Sequence, residues 1–140
     1  MTKTILLQEL RNNARKSFAK IGREHKLSTD KIFETYDELK KEPITKHVTL
    51  IDFKKIGYGQ RNLLLIKAKK KEQLQKFLKQ HSNINNIHSV KEFDLSCETI
   101  FKNMKEYYEF LEQLELFQLN KIIDYEVVED LKRETLHPKF

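Results

Sequence analysis

The 140-residue chain is 39% hydrophobic and 34% charged, which suits one globular domain or two small ones and is too apolar for a disordered segment. No run approaches the roughly 20 apolar residues of a bilayer span, and the start Met1-Thr2-Lys3-Thr4 leads into an amphipathic segment without a cleavage site. The chain is therefore expected in the cytoplasm, away from membranes. A single cysteine, Cys97, excludes an internal disulfide and a cysteine-based zinc cluster, while a net charge of +6 permits a polyanionic partner.

The first 44 residues read as three helices. Ile5, Leu6 and Leu10 share a face, with Thr2 or Thr4 available as a cap, and Asn12-Asn13 weakens the segment. Phe18, Ile21 and the spacing to His25 suggest a second helix. Ser28 then offers an N-cap, Asp30 complements the positive helix end, and Ile32, Tyr36 and Leu39 follow at helical spacing until Pro43 stops the run. From His47 to Phe53 the chain turns β-branched and aromatic, and Gly57-Tyr58-Gly59 reads as a hinge. Leu63 to Ala68 suits a buried strand, and Leu74, Phe77 and Leu78 mark a helix after it.

Asn83, Asn85 and Asn86 read as a polar turn, Val90 to Asp94 and Ser96 to Phe101 as two strands. Met104 to Phe117 is the clearest helix, with Tyr107, Phe110, Leu111 and Leu114 on one stripe. Ile123, Tyr125 and Val127 alternate with Asp124, Glu126 and Glu129 as in a half-buried strand. The order after the hinge is β-α-β-β-α-β, so the fold class is α+β, with a ferredoxin-like antiparallel sheet covered on one face by two helices. The uncovered face predicts self-association.

Charge is segregated along the chain. From Arg11 to Lys26, Arg11, Arg15, Lys16, Lys20, Arg23 and Lys26 face only Glu24, leaving +5. From Lys54 to Lys71 there are seven basic residues and no acid, and from Glu92 to Asp130 eleven acids stand against three lysines. Gly22, Leu27 and Ile32 are spaced as a helix-turn-helix spaces its small crossing residue, its apolar turn residue and the first inward residue of the following helix.

Over nearly its whole length the sequence resembles the Lrp/AsnC family of transcription regulators. The resemblance is carried by the stretches NARKSFAKIGREHKLSTDKIFETYDELKK, ITKHVTLIDFKKIGYGQRNLLLIKAK, IHSVKEFDLSCETIFKNMKEYYEFLEQL and KIIDYEVVEDLKRETLHP. It implies a winged helix-turn-helix over 1–44, a connecting strand and hinge over 45–58, and a ferredoxin-like oligomerisation and effector domain over 59–140. In that plan Thr45 to Phe53 pairs with its copy in a dimer, dimers often assemble into octamers, and many members sense an amino acid.

Carried over residue by residue, the resemblance makes Ser28 to Lys41 the recognition helix. Thr29, Lys31, Phe33 and Thr35 would meet base edges or thymine methyls, with Ser28 and Lys26 at the entry to the helix, and Arg15, Lys16, Lys20 and Arg23 would neutralise phosphates. The chain departs from the pattern in three ways. Asp30, Glu34, Asp37 and Glu38 outnumber Lys31, Lys40 and Lys41 on that helix, and Lys26 stands where the turn commonly has glycine. In the sensing domain Glu92-Phe93-Asp94 is kept, but its loop is one residue shorter and lacks the family's glycine. Those three residues are either effector ligands or a tight turn in which Asp94 accepts backbone hydrogen bonds.

The five histidines lack metal-site spacing, and there is neither a phosphate-cradling glycine loop nor a nucleophile elbow, so neither a metal, a cofactor nor an enzyme activity is expected. The partners expected are double-stranded DNA, further copies of the chain and an amino-acid effector. The rival reading is an interaction protein whose acidic third helix no longer reads DNA and which pairs with or sequesters another regulator.

Overall fold

Apolar residues at helical spacing form α1 (Thr2–Asn12), α2 (Phe18–His25) and α3 (Thr29–Lys41). The caps of the last two are serines. Ser17 accepts a hydrogen bond from the Lys20 amide, and Ser28 from the Lys31 amide, each at 3.2 Å. α1 starts instead at Met1 without a side-chain cap, so neither Thr2 nor Thr4 plays the part expected of it. Leu6, Leu10, Ile21, Ile32 and Leu39 close into one small core, with Leu7, Phe18, Leu27, Tyr36 and Ile44 packed against it.

The second core lies in a sheet with helices on one side. After a short 3-10 turn (Phe53–Ile56) come β1 (Gln60–Ala68), α4 (Lys71–Gln80), β2 (Ile84–His88), β3 (Leu95–Phe101), α5 (Met104–Leu114) and β4 (Leu119–Glu126). All strand pairs are antiparallel, in the spatial order β2-β3-β1-β4. Leu64 and Ile66 of β1 and Cys97 and Phe101 of β3 pack on Leu74 and Leu78 of α4 and on Tyr107, Phe110 and Leu114 of α5. Burial pushes the Cys97 thiol up to about 12, so it stays protonated as a packed residue.

Polar groups on the helix side are satisfied by one another. Gln60 Nε2 donates to Asn62 Oδ1, Asn62 Nδ2 to Asp124 Oδ1, and the Tyr107 hydroxyl to Asp124 Oδ2 at 2.6 Å. On the opposite face the register aligns Leu63 with Tyr125 and Leu65 with Ile123, while Arg61 is held by Asp130 at 2.9 Å and Glu98 at 3.3 Å. Leu63 remains 41% exposed and Tyr125 58%.

The computed structural model describes residues 1–134 and 136. It divides into two units: Met1–Leu50 with the end of the chain from Leu131, and Ile51–Asp130. The break falls between Leu50 and Ile51, and the segment from Leu131 is grouped with the helices. Arg11 of α1 donates to the Leu136 carbonyl at 3.0 Å and reaches Glu134 at 3.4 Å.

Two expectations about strands are corrected. Val90 to Asp94 is a turn, because Glu92 adopts φ +71° and the Asp94 carboxylate folds back to accept the Ala68 amide at 2.9 Å. The strand is supplied instead by Ile84–His88, including Asn85 and Asn86. On this edge strand Asn85 donates across to Glu98 at 2.8 Å, a partner that offsets its preference for turns. Within a single chain Thr45 to Phe53 joins no ladder, the neighbour expected for it being its copy in a second protomer, and among the described residues the helical unit contains no strand pair to serve as a wing.

Candidate nucleic-acid interface

The joint between α2 and α3 is a close crossing. The Leu27 amide donates to the Gly22 carbonyl at 2.8 Å, and a Cβ built on Gly22 would stand 2.6 Å from the Leu27 carbonyl oxygen and 3.4 Å from Ile32 Cδ1. Only glycine fits there. Lys26 makes the turn in the left-handed region at φ +56°, ψ +44°, as expected for a residue standing in a glycine's place. Ile21 and Ile32 are fully buried beneath the turn, which fixes the start of α3.

Ser28, Thr29, Lys31 and Phe33 are exposed along the first half of α3. Phe33 is 53% exposed, and its ring meets Phe18 edge-on at 4.9 Å, which limits its rotation while leaving part of it open. Thr35, expected to be exposed, is buried; its hydroxyl donates to the Lys31 carbonyl at 2.8 Å, as threonines inside helices do. The helical period explains the miss, because Thr35 follows the buried Ile32 by three positions and shares its face.

Of the basic residues expected to meet phosphates, Arg15, Lys20, Arg23 and Lys26 are exposed and make no ion pair among the described residues. Lys16 is different. Its ammonium lies 2.5 Å from both Glu9 of α1 and Glu24 of α2, with its side chain only 15% exposed. It ties two helices together, so its charge is compensated internally and the correction removes it from the phosphate-facing set. Its pKa is raised, first by the hydrogen bond to Glu24 and then by that to Glu9. The Glu9 carboxyl is held below its usual value by Lys16 and then by His25, whose Nε2 lies at 2.7 Å.

Glu9, Glu24 and His25 bring three possible ligand atoms within 4.8 Å of one another. The cation between these carboxylates is already the Lys16 ammonium, which leaves the group no need of a metal. His137 lies outside the described residues.

Of the three candidate effector residues, Asp94 is committed to the turn through the Ala68 amide, Glu92 is exposed, and Phe93 is half-buried with the Lys67 and Lys121 ammonium groups each 5.7 Å from its ring centroid. The two lysines carry no sequence motif. They meet only because β1 and β4 pair, which is why the sequence reading missed them.

No family model matches the sequence, and no curated protein matches it either. Solved structures do match its fold. A transcriptional regulator from Neisseria meningitidis in complex with L-methionine is 16% identical, with a TM-score of 0.87 over 98% of this chain and 94% of that one. AsnC of E. coli is 14% identical at a TM-score of 0.87, covering 98% and 97%, and LrpC of B. subtilis is 18% identical at 0.82, covering 94% and 96%. This chain has the fold of the AsnC/Lrp transcriptional regulators.

Proposed function

We propose that the chain is a sequence-specific DNA-binding regulator of transcription that works as a homodimer or higher oligomer. In this reading residues 1–44 form a helix-turn-helix module, 45–58 connect it, and 59–140 form a ferredoxin-like domain for oligomerisation and effector binding. The observation that carries the proposal is the glycine-closed joint of α2 and α3, which leaves Thr29, Lys31 and Phe33 open at the start of α3. Thr29 and Lys31 would meet base edges and Phe33 a thymine methyl, while Arg15, Lys20, Arg23 and Lys26 would neutralise phosphates. Two-fold dimers would then take half-sites about one helical turn apart. The Neisseria regulator holds L-methionine; by analogy a small molecule would act here at the turn around Phe93.

Fluorescence anisotropy on duplex DNA from the chain's own upstream region tests the proposal. Four phosphate contacts per protomer, eight for a dimer, predict an affinity loss of about 10,000-fold between 50 and 200 mM salt. Lys20→Glu with Arg23→Glu should abolish binding. No affinity for DNA at 50 mM salt would overturn the reading.

The acidic outer surface of α3, where Asp30, Glu34, Asp37 and Glu38 are all exposed, supports a second reading. A degenerate module that pairs with or sequesters another regulator would keep its heteromer intact in the same double variant.

A further inference from the structure

The end of the sheet where β1 meets β4 carries positive charge that no ion pair balances among the described residues. Lys67 and Lys121 are register partners, next to the irregularity that follows Lys67. Like charges placed directly opposite destabilise a ladder. Both lysines are exposed, and each ammonium lies 5.7 Å from the centroid of the same ring, Phe93. Neither makes an ion pair among the described residues.

The acids of the adjoining turn do not answer them. The Asp94 carboxylate accepts the Ala68 amide, and Glu92, held at φ +71°, is exposed without an ion pair among the described residues. Lys69, Lys70 and Lys91 are exposed in the same loops and add to the positive potential.

We infer that Lys67, Lys121 and Phe93 form a binding site for a small dianion, a dicarboxylate or a phosphate group. Each ammonium takes one anionic oxygen as a point charge, and the ring fixes the two lysine side chains at its faces or edge. A zwitterionic amino acid fits less well, because its own ammonium would be brought to two others. The inference rests on the effector reading for its location and changes the ligand class.

The test is thermal unfolding of the full chain in sodium succinate, in sodium phosphate and in sodium chloride at equal ionic strength. A dianion should raise Tm by about 4 °C or more over chloride. The salt that acts distinguishes a dicarboxylate from a phosphate ligand. Lys67→Gln and Lys121→Gln should each remove the rise, and both should fold, since each relieves a like-charge contact. Lys67→Glu should raise Tm without added ligand and abolish the response.

No shift with either salt overturns the inference, as does a shift that survives both glutamine variants. It is also overturned if the variants change the sedimentation of the protein, which would assign the lysines to contact between copies. Loss of DNA affinity in these variants comparable to that of the Lys20 and Arg23 reversals would assign the lysines to DNA phosphates and overturn it equally. A protein that binds duplex but ignores dianions loses this inference alone, whereas one that responds to dianions without binding duplex loses the regulator reading.

Discussion

A missing side chain at Gly22 and a bent backbone at Lys26 hold α2 and α3 in their crossing. Gly22→Ala would drive a methyl against the backbone oxygen of Leu27, 2.6 Å away, and rigid backbone cannot yield as a side-chain tip would. We expect a loss of about 1–3 kcal/mol in the helical unit, measured by chemical denaturation followed by helical circular dichroism. Lys26→Gly acts in the opposite direction. The left-handed conformation costs a side-chain-bearing residue about 1–2 kcal/mol, less the added flexibility of glycine in the unfolded chain. The variant should therefore be more stable by up to about 1 kcal/mol in the same assay and, under the DNA-binding reading, should bind duplex more weakly at low salt by one phosphate contact. A Lys26→Gly protein that was less stable would show that Lys26 makes a compensating contact.

Among the elements, α1 and α2 are joined by the Glu9–Lys16–Glu24 bridge with His25 beside it. Because the Glu9 carboxyl is depressed in the folded state, the stability it contributes is full above its unfolded value near 4.5 and is lost as pH falls through the folded value below that. The helical unit should thus weaken in acid from about pH 4.5 downward, and Glu9→Gln should flatten that slope when Tm is followed against pH. The parts of this unit that were legible in the sequence obey one period: Ile21, Ile32 and Leu39 sit inside, and Ser28 caps. The pairing of Lys16 was not legible, because a basic residue among helices looks the same in sequence whether its neighbours are solvent or two carboxylates.

The sheet taught a similar lesson. Leu64, Ile66 and Ala68 announce β1 by composition, and Tyr107, Phe110 and Leu114 announce α5 by spacing. β2 announces nothing, since its two asparagines favour turns and only Glu98 on the neighbouring strand gives Asn85 a reason to extend. The Lys67–Lys121 pair was invisible for the same reason: partners 54 positions apart come together through register alone.

For the whole molecule, the open sheet face offers Leu63, Leu65, Ile123 and Tyr125 in two aligned rows, with the Arg61 charge already held by Asp130 and Glu98. Apolar surface of this kind is what copies of a chain bury against one another. Under the oligomer reading, Leu63→Asp should shift sedimentation equilibrium toward the monomer at micromolar concentration while leaving the helical content unchanged. An unaltered association state would remove this face from the assembly. Among the described residues no helix is long and apolar enough to cross a membrane.

The hydrogen bond from Arg11 to the Leu136 carbonyl has a practical corollary. The helical unit takes in Leu136 as well as the segment up to Leu50, so an excised peptide ending at Leu50 omits part of what holds α1 in place. Anyone wishing to graft this module onto another protein would need to carry the segment from 131 to 136 along, or supply Arg11 with a substitute acceptor.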